Sequence, residues 1–363
     1  MKIIILCKRA PQSRDLWRRP YGRFFHLARY LAEMGDEVHL VLLNYGKGEE
    51  FQAHRDGINW HSVNLAPNPL RFYRVAIQLA KTMRADWIIG FSDTYFGICA
   101  ELIGRQTGAS SLIDAYDNYE SYIPWCKPLH WLWRRALRRC TGVTAAGPGL
   151  LKLMSVGRPN RNSAIIEMAA DPQFTPGDKI SSRRSLGLPE DRPIIAYSGS
   201  LYRSRGIEEL FSLIEYIGRN DPNVYWMLSG RLEPGISLPN NLNHLGYVAD
   251  DKVVDVVRSA DVVLCVNKPD TFGSFSYPVK IYEALAVGAR VVAFSTDSVE
   301  YVMREHLNWL VPFGEITQMA DRAIAALTTS DIQGAPLADW AISAKWLRQQ
   351  LIEWKQGTTS EPQ

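Results

Sequence analysis

The sequence has few cysteines and no long hydrophobic run, and these two shortages restrict the kind of protein that it encodes. Only five cysteines occur among 363 residues, at scattered positions without the spacing of a metal site. No stretch reaches the roughly 18 consecutive apolar residues that are needed to cross a bilayer. The first six residues, followed by Lys8 and Arg9, are typical of a strand rather than of a signal peptide. We therefore expect a cytoplasmic protein in a reducing compartment.

Several ligand-binding patterns are also missing. No G-x-G-x-x-G follows the first strand, which argues against an NAD-dependent dehydrogenase. No cluster of histidine, cysteine and carboxylate residues has the spacing of metal ligands, so the sequence indicates no bound metal ion. No recognised nucleic-acid module accompanies the basic residues, and we expect no nucleic-acid partner.

The charge is unevenly distributed although the net charge is only +3. Residues 1–172 hold 23 Lys and Arg against 15 Asp and Glu, a balance of +8, so the remainder carries −5. A basic half beside an acidic half predicts that the first half meets something anionic, such as a membrane surface or a lipid phosphate.

Apolar segments alternate between strand and helix patterns along the chain. Strand, helix and strand over residues 2–7, 22–34 and 37–43 form a βαβ unit, and a second alternation begins at residues 193–197. This pattern predicts α/β domains with parallel sheets covered by helices. We predict two Rossmann-like domains facing a cleft, over residues 1–170 and 171–336. A helix over 337–356 should cross back to the first domain, before a disordered tail over 357–363.

The segment 271–294 has the features of an anion site. A loop rich in serine, glycine and proline, with Ser274 and Ser276, leads into a short helix from about residue 279. Such a loop offers backbone N–H groups and the positive end of a helix dipole to an anion. Lys280 lies at the wrong end of the helix for the dipole, so we expect it to have its own anionic partner. Glu283 can accept hydrogen bonds from a diol, and the set fits a nucleotide diphosphate and its ribose.

Three segments of the second half carry a family resemblance. They are YSGSLYRSRGIEEL, GYVADDKVVDVVRSA and PVKIYEALAVG, and in this order they resemble the donor domain of retaining glycosyltransferases with the GT-B fold, particularly family 4. In the first half GRFFHLARYLAEMGDEV is similar to that family's first helix and second strand, and MAADPQFTP to its inter-domain junction. The resemblance extends over nearly the whole chain.

The resemblance implies roles for individual residues. Arg205 matches the family's usual lysine at the donor diphosphate, and with Lys280 it would stabilise the leaving group. Glu283 matches the second glutamate of the E-x7-E motif, which binds ribose hydroxyls. Phe275 stands where the first glutamate is usual, which leaves open how the sugar hydroxyls are held there. The other donor contacts that the resemblance implies are Gly199, Ser200, Arg203, Tyr247 and Val248. The loop before residue 279 adds Ser274, Phe275 and Ser276 to the predicted donor site.

In the first half, the segment DAYDNYESY follows a strand, where ligands of open parallel sheets bind. The family often has an aspartate or histidine here that touches the donor sugar, and we choose Asp117. Asp114 and Glu120 are rivals, and an Asx-turn or helix cap is the alternative. Asp114 is also placed on the acceptor side with Gly22 and Arg23, which open the first helix and offer an anion-accepting N-terminus.

The segment LHWLWRRALRRC interleaves tryptophan with arginine. This combination suits the interface of a membrane with anionic lipid, and a packed helix with a solvated basic face is the alternative. The protein would then be peripheral on the inner face of the membrane.

The resemblance implies a metal-independent transferase that moves a sugar, such as a hexose, from a nucleotide diphosphate sugar to a hydroxyl with retention of configuration. The resemblance favours a UDP-sugar, with a GDP-sugar as a second donor, and needs no cofactor. The acceptor would be a glycolipid or a surface polysaccharide precursor. The alternatives are a nucleotide-sugar epimerase of the same architecture and a non-catalytic partner that binds nucleotide sugar.

Overall fold

The computed structural model describes residues 1–11, 14–46, 48–159, 162–239, 242–329, 333–334 and 338–359. The chain divides into two compact units. The first consists of Met1–Met168 and Ala338–Gln363, and the second of Ala169–Leu337. Both are α/β units with Rossmann-like sheets, which confirms the predicted fold class.

The first unit is built on an eight-stranded sheet. Its strands are β1 (Lys2–Lys8), β2 (Glu37–Asn44), β3 (Phe51–Arg55), β4 (Ile58–Asn64), β5 (Trp87–Gly90), β6 (Ser110–Ala115), β7 (Gly142–Ala145) and β8 (Ser163–Ile165). Its helices are α1 (Gly22–Glu33), α2 (Leu70–Met83), α3 (Thr94–Thr107), α4 (Lys127–Arg139), α5 (Pro148–Met154) and the C-terminal helix (Trp340–Thr359). The spatial order of the strands is β3-β4-β2-β1-β5-β6-β7-β8, and all pairs are parallel except β3 with β4.

The centre of this sheet is formed by the most apolar strand of the sequence. Residues 3–7 of β1 are fully buried between β2 and β5. A parallel strand with helices on both faces is expected to read as such a continuous apolar run. The hairpin of β3 and β4 was not predicted. Asp56 and Gly57 join its strands with φ of 55° and 74°, as a two-residue type I′ turn requires.

The C-terminal helix packs on α1 of the first unit. Trp340 stacks on His26 with ring centroids 5.6 Å apart, and Arg348 Nε donates to Asp36 Oδ2 at 2.8 Å. The helix ends at Thr359, so it includes residues 357–359 of the predicted tail, and residues 360–363 lie outside the described part. No helix in the described part of the chain is long and apolar enough to cross a membrane.

The second unit contains a six-stranded, all-parallel sheet. Its strands are β9 (Ile194–Ser198), β10 (Tyr225–Ser229), β11 (Asn243–His244), β12 (Val262–Cys265), β13 (Arg290–Phe294) and β14 (Leu310–Val311), in the order β11-β10-β9-β12-β13-β14. Its helices are α6 (Lys179–Ser185), α7 (Ile207–Asn220), α8 (Asp250–Ser259), α9 (Val279–Ala286), α10 (Asp297–Val302) and α11 (Ile316–Thr328).

The strand order places a topological switch point in each sheet. In the second unit the chain runs from β9 outward through β10 and β11, then returns to β12 on the other side of β9. The loops that follow β9 and β12 therefore diverge, and ligands of open parallel sheets bind in the crevice that this leaves. In the first unit the corresponding switch point lies between β1 and β5.

A buried ion pair joins α1 to the sheet of the first unit. Arg23 Nε and Nη2 donate to the two carboxylate oxygens of Asp114 at 2.8 and 2.6 Å, and both side chains are essentially inaccessible. Thr144 Oγ1 donates to Asp114 at 2.6 Å, and Arg23 Nη1 donates to the carbonyl of Ile166 at 2.7 Å. The prediction that Arg23 and Asp114 lie on the acceptor side is corrected. The two side chains bind each other in the interior of the unit, where an acceptor does not reach them.

We predict that Arg23→Met destabilises the first unit by about 3–5 kcal/mol, because it leaves the carboxylate of Asp114 buried without its partner. The double variant Arg23→Met/Asp114→Leu should recover most of that loss, since both charges are then removed. Urea unfolding followed by tryptophan fluorescence measures both values. A single variant that costs less than about 1 kcal/mol would contradict the structural role of the pair.

Candidate functional site

The loops at the carboxyl edge of the second sheet are joined by backbone hydrogen bonds. Gly199 N, after β9, donates to Ser229 O at 2.9 Å, and Leu201 N donates to Arg231 O at 2.8 Å. Gly230 N donates in turn to Gly246 O at 2.8 Å. The loops that follow β9, β10 and β11 therefore form one continuous platform.

Gly230 is essential to this platform because two backbones meet there. Its φ is +130°, and a Cβ at this position would lie 1.8 Å from the carbonyl oxygen of Gly199. A residue with a side chain can neither adopt this conformation easily nor fit against that carbonyl. Gly199 and Ser200 belong to the loop predicted to meet the donor, whereas Gly230, which supports this loop, was not predicted from the sequence.

Arg205 links the β9 loop to the loop that precedes α9. It lies in a single turn of 3-10 helix, Arg203–Arg205, and its guanidinium carbon is 4.4 Å from the ring centroid of Phe272. Burial raises the pKa of the Cys265 thiol, at the end of β12, to about 12, and the positive charge of Arg205 acts in the opposite direction. The cation therefore lies near the switch point of the sheet.

Arg203 has a different environment from Arg205. Its Nε is 3.6 Å from Glu208 Oε1, and both side chains are largely exposed. Its backbone N–H donates to Glu233 Oε2 at 2.8 Å. An exposed pair of this kind contributes little to stability, so the side chain of Arg203 can change partners at low cost.

Lys280 and Glu283 form an ion pair in the first turns of α9. Lys280 Nζ is 2.9 Å from Glu283 Oε2, so Glu283 is the anionic partner that the sequence analysis expected for Lys280. Glu283 is 8% exposed, and no directed hydrogen bond reaches its Oε2 from the residues that the structure describes. No side chain caps the start of α9 at Pro278. A cation, a buried carboxylate and an uncapped helix N-terminus thus occur within two turns.

The serine-containing loop before α9 differs from the expectation. Asp270 Oδ1 accepts from the backbone N–H groups of Phe272 and Gly273 at 2.8 and 2.7 Å. The N–H groups of Ser274 and Phe275 donate to the carbonyls of Asp270 and Phe272, both at 3.1 Å. These four amides are used within the loop, which corrects the prediction that its N–H groups are open to an anion.

The loop after β11 presents an aromatic surface. Tyr247 is 49% exposed, and the guanidinium carbon of Arg231 lies 5.1 Å from the centroid of its ring. Val248 packs against the core of the second unit. A flat ring with a cation beside it can stack on a planar ligand. Arg231 was not identified from the sequence, where it is one arginine in a loop without a motif.

In the first unit, Asp117 and Asp93 lie at neighbouring strand ends. Asp117 follows β6 and accepts from the hydroxyl of Tyr122 at 2.7 Å. Asp93 follows β5 and caps α3, accepting from Tyr95 N at 2.8 Å, and burial raises its pKa to about 6. Both negative charges add to the burial that raises the pKa of Tyr116. Asp93 was not singled out from the sequence, although a carboxylate three residues after a buried strand was the available signal.

The rivals of Asp117 are explained by other contacts. Glu120 forms a bidentate pair with Arg134 at 2.7 Å for each bond.

Gly22 begins α1 with φ of +61°, and no side chain caps that helix at Tyr21. Among the described residues, no group of three or more histidine, cysteine or carboxylate side chains could hold a metal ion.

Two Rossmann-like units, the second with cations, a buried carboxylate and a glycine platform at its switch point, are the architecture of GT-B glycosyltransferases. Residues 23–165 match the model of the glycosyl transferase 4-like domain, and residues 178–334 match that of the glycosyl transferases group 1. The chain belongs to family 4 of the glycosyltransferases, as the resemblance predicted.

Solved structures support the same fold. The chain is similar to sucrose-phosphate synthase from Thermosynechococcus elongatus, with 16% identity and a TM-score of 0.71 over 98% of this chain and 94% of that chain. It is also similar to the Anabaena protein HepE in complex with UDP, with 16% identity and a TM-score of 0.69 over 99% of this chain and 98% of that chain. At these identities the likeness shows the fold.

Curated relatives match part of the chain. A phosphatidyl-myo-inositol mannosyltransferase of Mycobacterium leprae is 30% identical over 145 residues, 39% of this chain and 36% of that protein. A D-inositol 3-phosphate glycosyltransferase of Mycolicibacterium smegmatis is 23% identical over 190 residues, 46% of this chain and 42% of that protein. The chain thus spans about two fifths of the length of these relatives.

We predict that Gly230→Ala destabilises the second unit by about 2 kcal/mol or more, because the new Cβ strains the backbone and overlaps the carbonyl of Gly199. Gly218→Ala is the matched control. Gly218 lies in α7 with no atom within 4 Å of a Cβ, so alanine there should gain up to about 1 kcal/mol from helix propensity. Thermal unfolding measures both, and equal behaviour of the two variants would contradict the platform.

Proposed function

We propose that this protein transfers a sugar from a nucleotide diphosphate sugar to a hydroxyl group, with retention of configuration. The observation that carries the proposal is the Lys280–Glu283 pair, in which a nearly buried carboxylate lies beside a cation at the start of an uncapped helix. A carboxylate binds the ribose hydroxyls of a nucleotide, and a cation with a helix N-terminus binds its diphosphate. Retention and independence of metal are proposed from the resemblance to retaining members of family 4.

The chemistry follows from where negative charge develops. When the bond between the sugar and the diphosphate breaks, charge accumulates on the leaving oxygen, and fixed cations and amides lower the energy of that state. Arg205 and Lys280 are the cations proposed for this role. They would replace the metal ion that neutralises a diphosphate in other enzymes.

The remaining donor contacts are assigned by the same reasoning. The stacking surface of Tyr247 and Arg231 fits a nucleobase, with Val248 beside it. Gly199, Ser200 and Arg203 belong to the platform after β9, and Ser274, Phe275 and Ser276 to the loop before α9. Phe275 cannot accept hydrogen bonds from sugar hydroxyls as a glutamate would, so the donor sugar needs other partners on that side.

In the first unit, Asp117 is proposed to contact the donor sugar. Its carboxylate is held by the hydroxyl of Tyr122, so its position is defined. Gly22 at the start of α1 remains the proposed acceptor-side position, whereas the side chains of Arg23 and Asp114 are no longer proposed there.

The acceptor is proposed to be a glycolipid or a polysaccharide precursor in the cytoplasm. UDP is the first candidate base because the structural neighbour HepE was solved with UDP and with UDP-glucose.

A donor screen followed by a turnover assay tests this function. Calorimetry against UDP-, GDP-, ADP- and dTDP-sugars should show binding of one nucleotide class, and EDTA should not change it. Acceptor-dependent release of the nucleotide then supports transfer. Interconversion of the sugar without release would support an epimerase, and binding without any turnover would support a non-catalytic partner. Either of the last two results would overturn the proposal.

Two substitutions separate donor binding from chemistry. Glu283→Gln should weaken donor binding by about 1–3 kcal/mol, because it removes the charge that accepts from the ribose hydroxyls. Arg205→Met should lower kcat by about 100-fold or more with a smaller effect on donor binding, because it removes a cation that acts most strongly on the leaving group. Calorimetry and steady-state kinetics measure the two effects.

Arg219→Met is the matched control for charge loss. Arg219 lies on α7 of the same unit in an exposed pair with Glu215 at 3.2 Å, so kcat and donor affinity should stay at the wild-type values. An Arg205→Met variant that behaves like Arg219→Met would remove Arg205 from the reaction, and unchanged donor affinity of a folded Glu283→Gln variant would remove Glu283 from the site.

A further inference from the structure

Exposed apolar side chains are concentrated in one short segment of the first unit. Of the twelve large hydrophobic residues that the described part of the chain exposes, five lie between residues 122 and 132. Trp125 is 80% exposed and Trp131 is 60% exposed. Exposed tryptophans cost free energy in water unless something covers them, so their concentration marks an interaction surface.

The same segment is strongly basic. Helix α4 contains Lys127, Arg134, Arg135, Arg138 and Arg139 and no acidic residue. Arg134 is paired with Glu120. Within the part of the chain that the structure describes, no carboxylate lies within ion-pair distance of the other three arginines. Their charge is therefore available to an anionic partner.

The packing of α4 separates an inner from an outer face. Trp133, Ala136 and Leu137 are buried against the rest of the unit. Trp131, Arg135 and Arg138 follow one another at spacings of four and three residues, so they form a stripe on the outer side. The guanidinium carbon of Arg135 is 5.9 Å from the ring centroid of Trp131. Trp131 and the arginines thus share one outward surface, which we call the α4 surface (Trp131, Leu132, Arg135, Arg138 and Arg139). Trp125 lies two residues before the start of the helix.

We propose that the α4 surface docks on a bilayer that contains anionic lipid. Tryptophan rings bind at the level of the headgroups, and arginines beside them neutralise lipid phosphates or carboxylates. A protein partner with an acidic groove would match the charge as well, but exposed tryptophan beside a stripe of arginines fits the layered polarity of a membrane interface better.

Vesicle sedimentation of the full chain tests the docking without any turnover. The protein should bind vesicles of phosphatidylcholine with phosphatidylglycerol, bind vesicles of phosphatidylcholine alone much more weakly, and dissociate at high salt. Arg135→Gln/Arg138→Gln should lower the partition coefficient into the anionic vesicles more than tenfold, since each basic side chain at the surface contributes about fivefold. Trp131→Ser should also lower it and reduce the blue shift of tryptophan fluorescence.

The matched control removes two charges elsewhere on the same unit. Arg74→Gln/Lys81→Gln alters two exposed basic residues of α2 and should bind anionic vesicles as the wild type does. Equal losses in the two double variants would overturn the proposal in favour of non-specific attraction. Absence of binding to anionic vesicles, or tighter binding to duplex nucleic acid than to those vesicles, would also overturn it. Vesicle binding that persists in a protein without transferase activity would contradict the proposed function and leave the docking supported.

Discussion

The close approach of two backbones at Gly199 and Gly230 is the constraint on which the platform at the edge of the second sheet depends. It allows the loops after β9, β10 and β11 to exchange hydrogen bonds at one edge of the sheet. A parallel sheet brings all strand ends of one polarity to the same edge, but only small residues let the loops beyond them touch. The positions of Arg205 and of Tyr247 both follow from this contact, since each belongs to a loop that the platform holds.

The charged groups of the two units are arranged by opposite rules. Arg23 and Asp114 satisfy each other in the interior, where neither meets a ligand. Lys280 and Glu283 are only three residues apart and form an ion pair, but Oε2 of Glu283 receives no directed hydrogen bond from the described residues. A fully satisfied pair positions elements, whereas an incompletely satisfied one retains affinity for a further group.

Most of the architecture could be predicted from the sequence because buried parallel strands read as continuous apolar runs. The β3–β4 hairpin was missed although Asp56 and Gly57 carry its turn signal, since both strands contain many polar residues. The pairing of Arg23 with Asp114 could not be foreseen, because 91 residues separate them and both occupy positions that suit a ligand site. The Lys280–Glu283 pair could be predicted, because residues three apart on a helix are neighbours. The hydrogen bonds from the loop amides to Asp270 could not, because they depend on a turn geometry that the serine-rich composition does not specify.

The return of the C-terminal helix to α1 has a consequence for synthesis on the ribosome. The first unit is discontinuous in sequence, so the surface around His26 and Asp36 stays uncovered until residues 340–359 have been translated. The second unit is contiguous and can complete its core earlier. Nascent chains truncated before residue 340 would therefore expose an apolar stripe on α1, which makes them candidates for chaperone binding during translation.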